Sequence, residues 1–296
     1  MPDLSSASGG TAGDSVAVEH RNAQGQRVLA VIRASSWSDF ADCELRWYYR
    51  NIEGLRLPAR GVLAIGSAFH RGTGAFDQGV LEAKPIPVAQ AAEIASEFID
   101  NPTDEAGRPE EYVYDDDTPK GKAKDLSVRL TTKYCGEAAP SYRYAAVELR
   151  CNALDVATPA GTIRMTGTTD RIKLNSLNEW GIADLKTGAR AVGADGVAVT
   201  KGHGLQLGAY TLMSEQMTGK PLGAATIIGA QTASALRIGV GEVANPKLAL
   251  VGTADKPGMI ELFADTAKRG IFKPNPKSML CSKEWCPAYS RCIYHE

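Results

Sequence analysis

An α/β or α+β domain is the fold class this sequence predicts, on three observations. Apolar residues recur at helical spacing in the first half. The centre changes to β-branched and apolar runs separated by turn signals. Helical spacing then returns around one further strand-like run. With 296 residues, 44% of them hydrophobic, the chain can build one large core with elaborations. A net charge of -1 gives no overall basic field, so nucleic-acid binding would have to rest on local Lys and Arg clusters.

The opening stretch, MPDLSSASGGTAGDSVAVEHRNAQGQ, is rich in small and polar residues. It has no apolar segment behind basic residues, so it reads as a flexible tail over residues 1–28 of a cytoplasmic protein without a membrane anchor. The remainder, 29–296, reads as one domain. ASSWSDFADCELRWYYRN predicts a helix, with Ser36 and Asp39 as a capping box and Trp37, Phe40, Cys43 and Trp47 toward the interior. GVLAIGSAFHRGTGAFDQGVL predicts a buried helix whose small residues let another backbone come close, with His70 near its middle.

Residues 85–140 are polar and interrupted by breakers, which predicts helices on either side of an exposed loop. The Asp115–Asp117 run in that loop reads as solvated rather than as a metal site. Three strands, taken as antiparallel, follow in AAVELRC, TIRMTGTTDRIKL and EWGIADLKT. HGLQLGAYTLMSEQMTG then predicts a helix packing through Leu205, Leu207, Tyr210 and Met213. GAATIIGAQTA predicts a strand, and PGMIELFADTAKRGI a helix.

Glu148, Asp170 and Asp184 are carboxylates on or beside the central strands, and Lys186 follows the last of them. Alternation along a strand places Asp184 and Lys186 on one face, so both can enter one cleft. Carboxylates gathered there call for a counter-ion, and oxygen ligands suit Mg2+ or Mn2+. Phosphodiester hydrolysis uses this set: a metal polarises the phosphoryl oxygen and activates water, while a lysine orients the water or stabilises developing charge. A D-x-K triplet alone is more often a surface ion pair.

The triplet does not stand alone. Gly66-Ser-Ala-Phe-His70, Gly167-Thr-Thr-Asp170, Asp184-Leu-Lys186 and Gln206-Leu-Gly-Ala-Tyr210 occur in this order. The arrangement resembles the RecB-type nuclease domain of the PD-(D/E)XK superfamily, which includes the Cas4 and AddB nucleases. The resemblance covers most of residues 30–295. It implies a restriction-endonuclease-like core, a central mixed sheet flanked by helices. It also implies His70, Asp170, Asp184 and the Leu185 carbonyl as metal ligands and Lys186 as the catalytic lysine. Gln206 and Tyr210 would contact the DNA backbone or order the site, and Glu148 would add a second-shell or second-metal carboxylate. Arg46, Arg50 and Arg171 are further candidate phosphate contacts.

Cys281, Cys286 and Cys292 lie within twelve residues near the end, which suits a soft metal or a cluster rather than a disulfide framework. Paired Cys-x2-Cys zinc knuckles are absent. The resemblance supplies a fourth ligand, Cys43, because Cas4 and AddB proteins hold a 4Fe-4S cluster with one cysteine before the nuclease motifs and three after them. Cys135 and Cys151 are then left as thiols. The first two C-terminal cysteines enclose four residues where the family often has two, and the last pair encloses the usual five. Treated as a cross-link, such a staple is worth about 5 kcal/mol at most.

The resemblance therefore implies a Cas4-like DNA exonuclease acting on ends or single strands, in recombination, repair or CRISPR adaptation. Its partners would be DNA and either a second copy of the chain or proteins of those pathways. No GxxxxGK[ST] loop is present, so the chain does not power its own unwinding. A catalytically silent, DNA-end-binding iron-sulfur accessory and a zinc-stapled structural protein are the alternatives.

Overall fold

The chain enters through β1 (Val28–Arg33), and two short helices, α1 (Trp37–Asp42) and α2 (Glu44–Asn51), follow. After β2 (Ala59–Arg60) comes the long α3 (Gly61–Leu81), then α4 (Val88–Asp100), β3 (Tyr112–Val113) and α5 (Lys120–Lys133), which runs into a π-helical turn over Tyr134–Ala138. The strands β4 (Arg143–Arg150), β5 (Leu154–Thr158), β6 (Gly161–Thr166), β7 (Thr168–Leu174) and β8 (Trp180–Gly188) are consecutive. Next come α6 (Gly204–Thr218), β9 (Ala225–Gln231) and β10 (Arg237–Val243). The short α7 (Leu248–Val251), the pair β11 (Gly252–Thr253) and β12 (Lys256–Pro257), and α8 (Met259–Arg269) complete the list. This computed structural model describes residues 20–21, 25–104, 106–233 and 235–295, so most of the predicted tail lies outside the described residues.

The central sheet has the order β10-β9-β8-β7-β4. It is mixed: β8 and β9 run parallel, whereas the β9–β10, β7–β8 and β4–β7 pairs are antiparallel. A second sheet, β1-β6-β5, pairs β1 parallel to β6 and closes β5 on β6 as a hairpin. Helices cover both faces of the central sheet. Ile172, Ile182 and Ile227 join the core that includes Leu207, Tyr210 and Met213 of α6 and Phe263 of α8. Ala183, Leu185 and Ile228 join the core of α3, α4 and α5, with Phe69, Ile99 and Leu130. Successive residues of β8 thus feed opposite layers, as strand alternation requires.

Two local predictions are corrected. The helix expected across 36–51 is broken at Cys43, whose extended backbone (φ -150°, ψ 102°) ends α1 and caps α2, its Sγ accepting from Arg46 N at 3.4 Å. Ser36 forms no capping box; its hydroxyl donates to Arg33 O and accepts from the Trp47 indole. The single strand expected over 162–174 is two, parted at Gly167, with β6 in one sheet and β7 in the other. At Gly167 a Cβ would lie 3.1 Å from Ala34 Cβ and from Met213 Cε, so glycine is what lets the chain change sheets against α6. The expected antiparallel order holds for β4, β7 and β8.

Candidate active site

Strand β8 carries the middle of the site. Asp184 is fully buried and Lys186 is mostly covered, their side chains sharing the face that α6 packs on. Lys186 Nζ sits 2.6 Å from Asp184 Oδ2. The contact is a close ion pair between a buried carboxylate and a largely covered ammonium. The peptide between them is used from both sides. Leu185 N donates to Asp170 Oδ2 at 2.8 Å on the neighbouring β7, and His70 Nε2 lies 3.1 Å from Leu185 O.

His70 comes from α3, which approaches β8 at Gly66, one helical turn earlier. A Cβ there would fall 2.8 Å from Thr187 Oγ1. With Nε2 turned to the Leu185 carbonyl, Nδ1 faces two carboxylates, Asp170 Oδ2 at 3.7 Å and Glu148 Oε1 at 4.0 Å. One ligand atom each from His70, Glu148 and Asp170 lies within 4.8 Å of the others. Asp184 stands beside this trio, paired with Lys186 instead.

Glu148 reaches the trio from β4 by an unusual backbone, a non-glycine residue at φ 47° within a strand. Its neighbours Val147 and Leu149 pair with Arg171 and Thr169, so it lies opposite Asp170. Its Oε1 accepts from Arg171 Nη1 at 2.8 Å. Arg171 is itself fully buried and also donates to Asp77 Oδ2, the Asp170 carbonyl and Thr73 Oγ1. Tyr134 donates to the same Asp77 oxygen at 2.7 Å and meets the Tyr144 hydroxyl at 2.9 Å.

Gln206 and Tyr210 are both buried, and Gln206 Nε2 donates to Tyr210 Oη at 3.0 Å. The Tyr210 ring lies against Gly167, just before Asp170. Their places suit ordering of the site better than contact with a phosphate. Of the other proposed phosphate contacts, Arg171 is enclosed as described, and Arg46 is buried on Asp39 and Asp42. Arg50 is exposed but pairs with Asp39. Asp115 pairs with Arg60, in keeping with a structural loop.

The electrostatics follow from crowding in a dry place. Burial pushes Asp184 above the ordinary carboxylate range, and Lys186 opposes that push. Burial pulls Lys186 down, but Asp184 and Asp170 outweigh it and leave the ammonium more firmly protonated than usual. His70 is likewise raised, the nearby Asp170 and Glu148 overcoming its burial. Burial and the Lys186 charge hold His203, at the start of α6, below the ordinary imidazole value.

These residues fit a divalent cation. Carboxylates gathered in a dry place are costly, and a divalent ion offsets their mutual repulsion. An imidazole nitrogen facing two carboxylates at 3.7 and 4.0 Å has room for one between them.

A second cluster gathers at the chain's far end. Cys43, Cys281, Cys286 and Cys292 line one cavity with Arg46, Tyr49, Leu45 and Leu280. Among the described residues no three of these thiols come within 4.8 Å of one another. Cys135 and Cys151 are buried elsewhere, Cys151 beside Thr169 and Ser214. The last segment is tied back to α1 and α2: Leu45 N donates to Lys273 O, Lys273 N to Glu44, Asn275 to Asp42 O and Ser278 to Asp42, and Arg291 pairs with Glu53.

Sequence reasoning did not single out Asp77, Thr73, Tyr134 and Tyr144. The signal was present for two of them: Thr73 and Asp77 follow His70 by three and seven residues, on one face of α3, and Asp77 is an acid inside an apolar helix.

The family model of the PD-(D/E)XK nuclease superfamily matches residues 33–293. The chain belongs to this superfamily. Among solved structures, a candidate exonuclease from Eubacterium rectale is similar over 90% of this chain and 90% of its own, with 14% identity and a TM-score of 0.51. At that identity the likeness speaks for the fold. The structure of SSO0001 is similar over 59% of this chain and 78% of its own, with 13% identity and a TM-score of 0.34. No curated protein matches the chain. PD-(D/E)XK nucleases usually use divalent metals, in keeping with the trio of His70, Glu148 and Asp170. No helix among the described residues is long and apolar enough to cross a membrane.

Proposed function

We propose that this PD-(D/E)XK protein is a metal-dependent deoxyribonuclease of the RecB and Cas4 kind, hydrolysing phosphodiester bonds at DNA ends or in single strands. The observation that carries the reading is Asp184, a fully buried carboxylate in an ion pair with Lys186 at 2.6 Å, beside the His70, Glu148 and Asp170 trio. A stability-driven core has no use for such a group. A nuclease does.

His70, Asp170, Asp184 and the Leu185 carbonyl would hold Mn2+ or Mg2+, with Glu148 within reach of the same ion or of a second. When bound, such an ion polarises a phosphoryl oxygen and makes bound water more acidic. The chain's own groups do the rest. Leu185 N fixes Asp170, and His70, with Nε2 3.1 Å from the Leu185 carbonyl, turns its Nδ1 toward Asp170 and Glu148. Lys186 stays charged and, turned from Asp184 to the scissile phosphate, steadies the negative charge that develops there. Gln206 and Tyr210 hold α6 against Gly167 and so keep Asp170 in place. A 4Fe-4S cluster on Cys43, Cys281, Cys286 and Cys292 would staple the last segment to the first helices. We take 29–296 as one cytoplasmic nuclease domain behind the tail 1–28. DNA is its partner, in recombination, repair or CRISPR adaptation, alone or with a second copy.

The test is anaerobic purification of the wild type and Asp184→Ala, each assayed with Mn2+ or Mg2+ on end-labelled single-stranded and duplex DNA. Metal-dependent cleavage lost in the variant, with iron and acid-labile sulfide retained, is the expected result. A wild type that holds iron and sulfide but cuts nothing with either metal would overturn the enzyme reading in favour of a DNA-end-binding accessory.

A further inference from the structure

Arg171 is fully buried yet lies one residue from Asp170, and its guanidinium touches four groups from three elements. On α3 it meets Asp77 and Thr73, on β4 Glu148, and on its own strand the Asp170 carbonyl. Asp77 is in turn fixed by Tyr134, whose hydroxyl also meets Tyr144. A buried arginine in this setting is not needed for packing, since an apolar side chain would fill the space without desolvating a charge. Glu148 gives a reason for it. A non-glycine residue at φ 47° in a strand is a costly conformation that persists only where its surroundings enforce it. The same residue places Oε1 4.0 Å from His70 Nδ1.

We propose that Arg171, anchored by Asp77, is a positioning residue that holds Glu148 as a fourth side-chain ligand of the divalent-metal site, beside His70, Asp170 and Asp184. The proposal rests on the metal-site reading above and adds an assignment to it: Glu148 touches the ion, and the Asp77–Arg171 pair sets its aim. The chemistry of the fork explains the choice of residue. A guanidinium can bond Asp77, Glu148, Thr73 and the Asp170 carbonyl at once, whereas an ammonium on a flexible stem cannot keep all of them in register.

The test uses the full chain without DNA. Mn2+ binding is titrated by calorimetry or by the loss of the free-ion electron paramagnetic resonance signal, with folding checked by near-ultraviolet circular dichroism. Arg171→Lys and Glu148→Gln should each weaken Mn2+ binding by about tenfold or more, and the double variant should be little worse than either single one. Asp77→Asn, isosteric and still an acceptor, serves if Arg171→Lys does not fold, and should weaken binding in the same direction. Asp170→Asn separates the two levels. If it abolishes Mn2+ binding while Glu148→Gln and the folded Arg171→Lys bind as wild type, the positioning proposal is wrong and the metal site stands. If Asp170→Asn binds as wild type, the metal-site reading fails and takes the proposal with it. Losses that add fully in the double variant would also sink the proposal, because the two side chains would then act independently.

Discussion

Gly66→Ala should damage activity far more than stability. The added methyl would fall 2.8 Å from Thr187 Oγ1, and ordinary contact begins at 3.4 Å, so α3 and β8 must part by about 0.6 Å or Thr187 must turn. Overpacking of this sort costs about 1–3 kcal/mol, and a forced side-chain rotation about 0.5–1.5 kcal/mol. Alanine returns about 1 kcal/mol of helix propensity relative to glycine. The net is a loss of about 0–2 kcal/mol, a fall in Tm of a few degrees. The displaced helix, however, carries His70, whose contact with Leu185 O spans the same gap. Catalytic sites lose about 100-fold for a misplacement near 1 Å, so about tenfold is expected here. End-labelled DNA cleavage under saturating Mn2+, alongside thermal melts, reads both quantities. Thr187→Ala removes the obstructing hydroxyl, so the double variant should regain most of the activity. Full activity in Gly66→Ala, or no rescue by Thr187→Ala, would refute the view that this glycine sets the distance between histidine and strand.

Phe263→Ala should cost about 3–5 kcal/mol in thermal or denaturant unfolding, because the buried ring packs edge-on against Trp37, Phe40 and Trp47 at centroid distances of 5.4, 4.9 and 5.0 Å. Mn2+ at a hundred times its Kd should stabilise the wild type by about 2.7 kcal/mol and Asp184→Asn by much less, as scanning calorimetry would show. Burial pushes the Cys135 thiol up to about 12, so iodoacetamide at pH 8 should leave it unlabelled in the folded protein and modify it after denaturation, by peptide mass analysis. Cys43→Ala should lower bound iron and sulfide as far as Cys286→Ala does, whereas Cys151→Ala should leave both at the wild-type level.

Most motifs of the candidate site are legible because one element carries them. Strand alternation gives Asp184 and Lys186 a common face, and helical spacing pairs Gln206 with Tyr210 and separates Gly66 from His70 by one turn. What reads poorly is whatever depends on two elements meeting. Arg171 looks like one more basic residue after Asp170 until α3 brings Asp77 over it. Gly167 interrupts no pattern in TIRMTGTTDRIKL, yet the chain changes sheets there, where a Cβ would crowd Ala34 and Met213 at 3.1 Å. β10 escaped notice because glycine fills alternate positions of RIGVGEV. Apolar spacing continues smoothly across Cys43, so the break between α1 and α2 has no periodic signal.

The ties between residues 273–291 and the first two helices bear on the order in which the molecule can assemble. Asp42, Glu44, Leu45 and Glu53 find these partners more than two hundred residues downstream. Closing so large a loop is slow, and the nascent chain carries α1 and α2 without those partners while the central sheet forms. These two helices are therefore among the last to be locked. A protein shortened by its final two dozen residues would keep every residue of the nuclease motifs, yet leave the base of α2 without its cover.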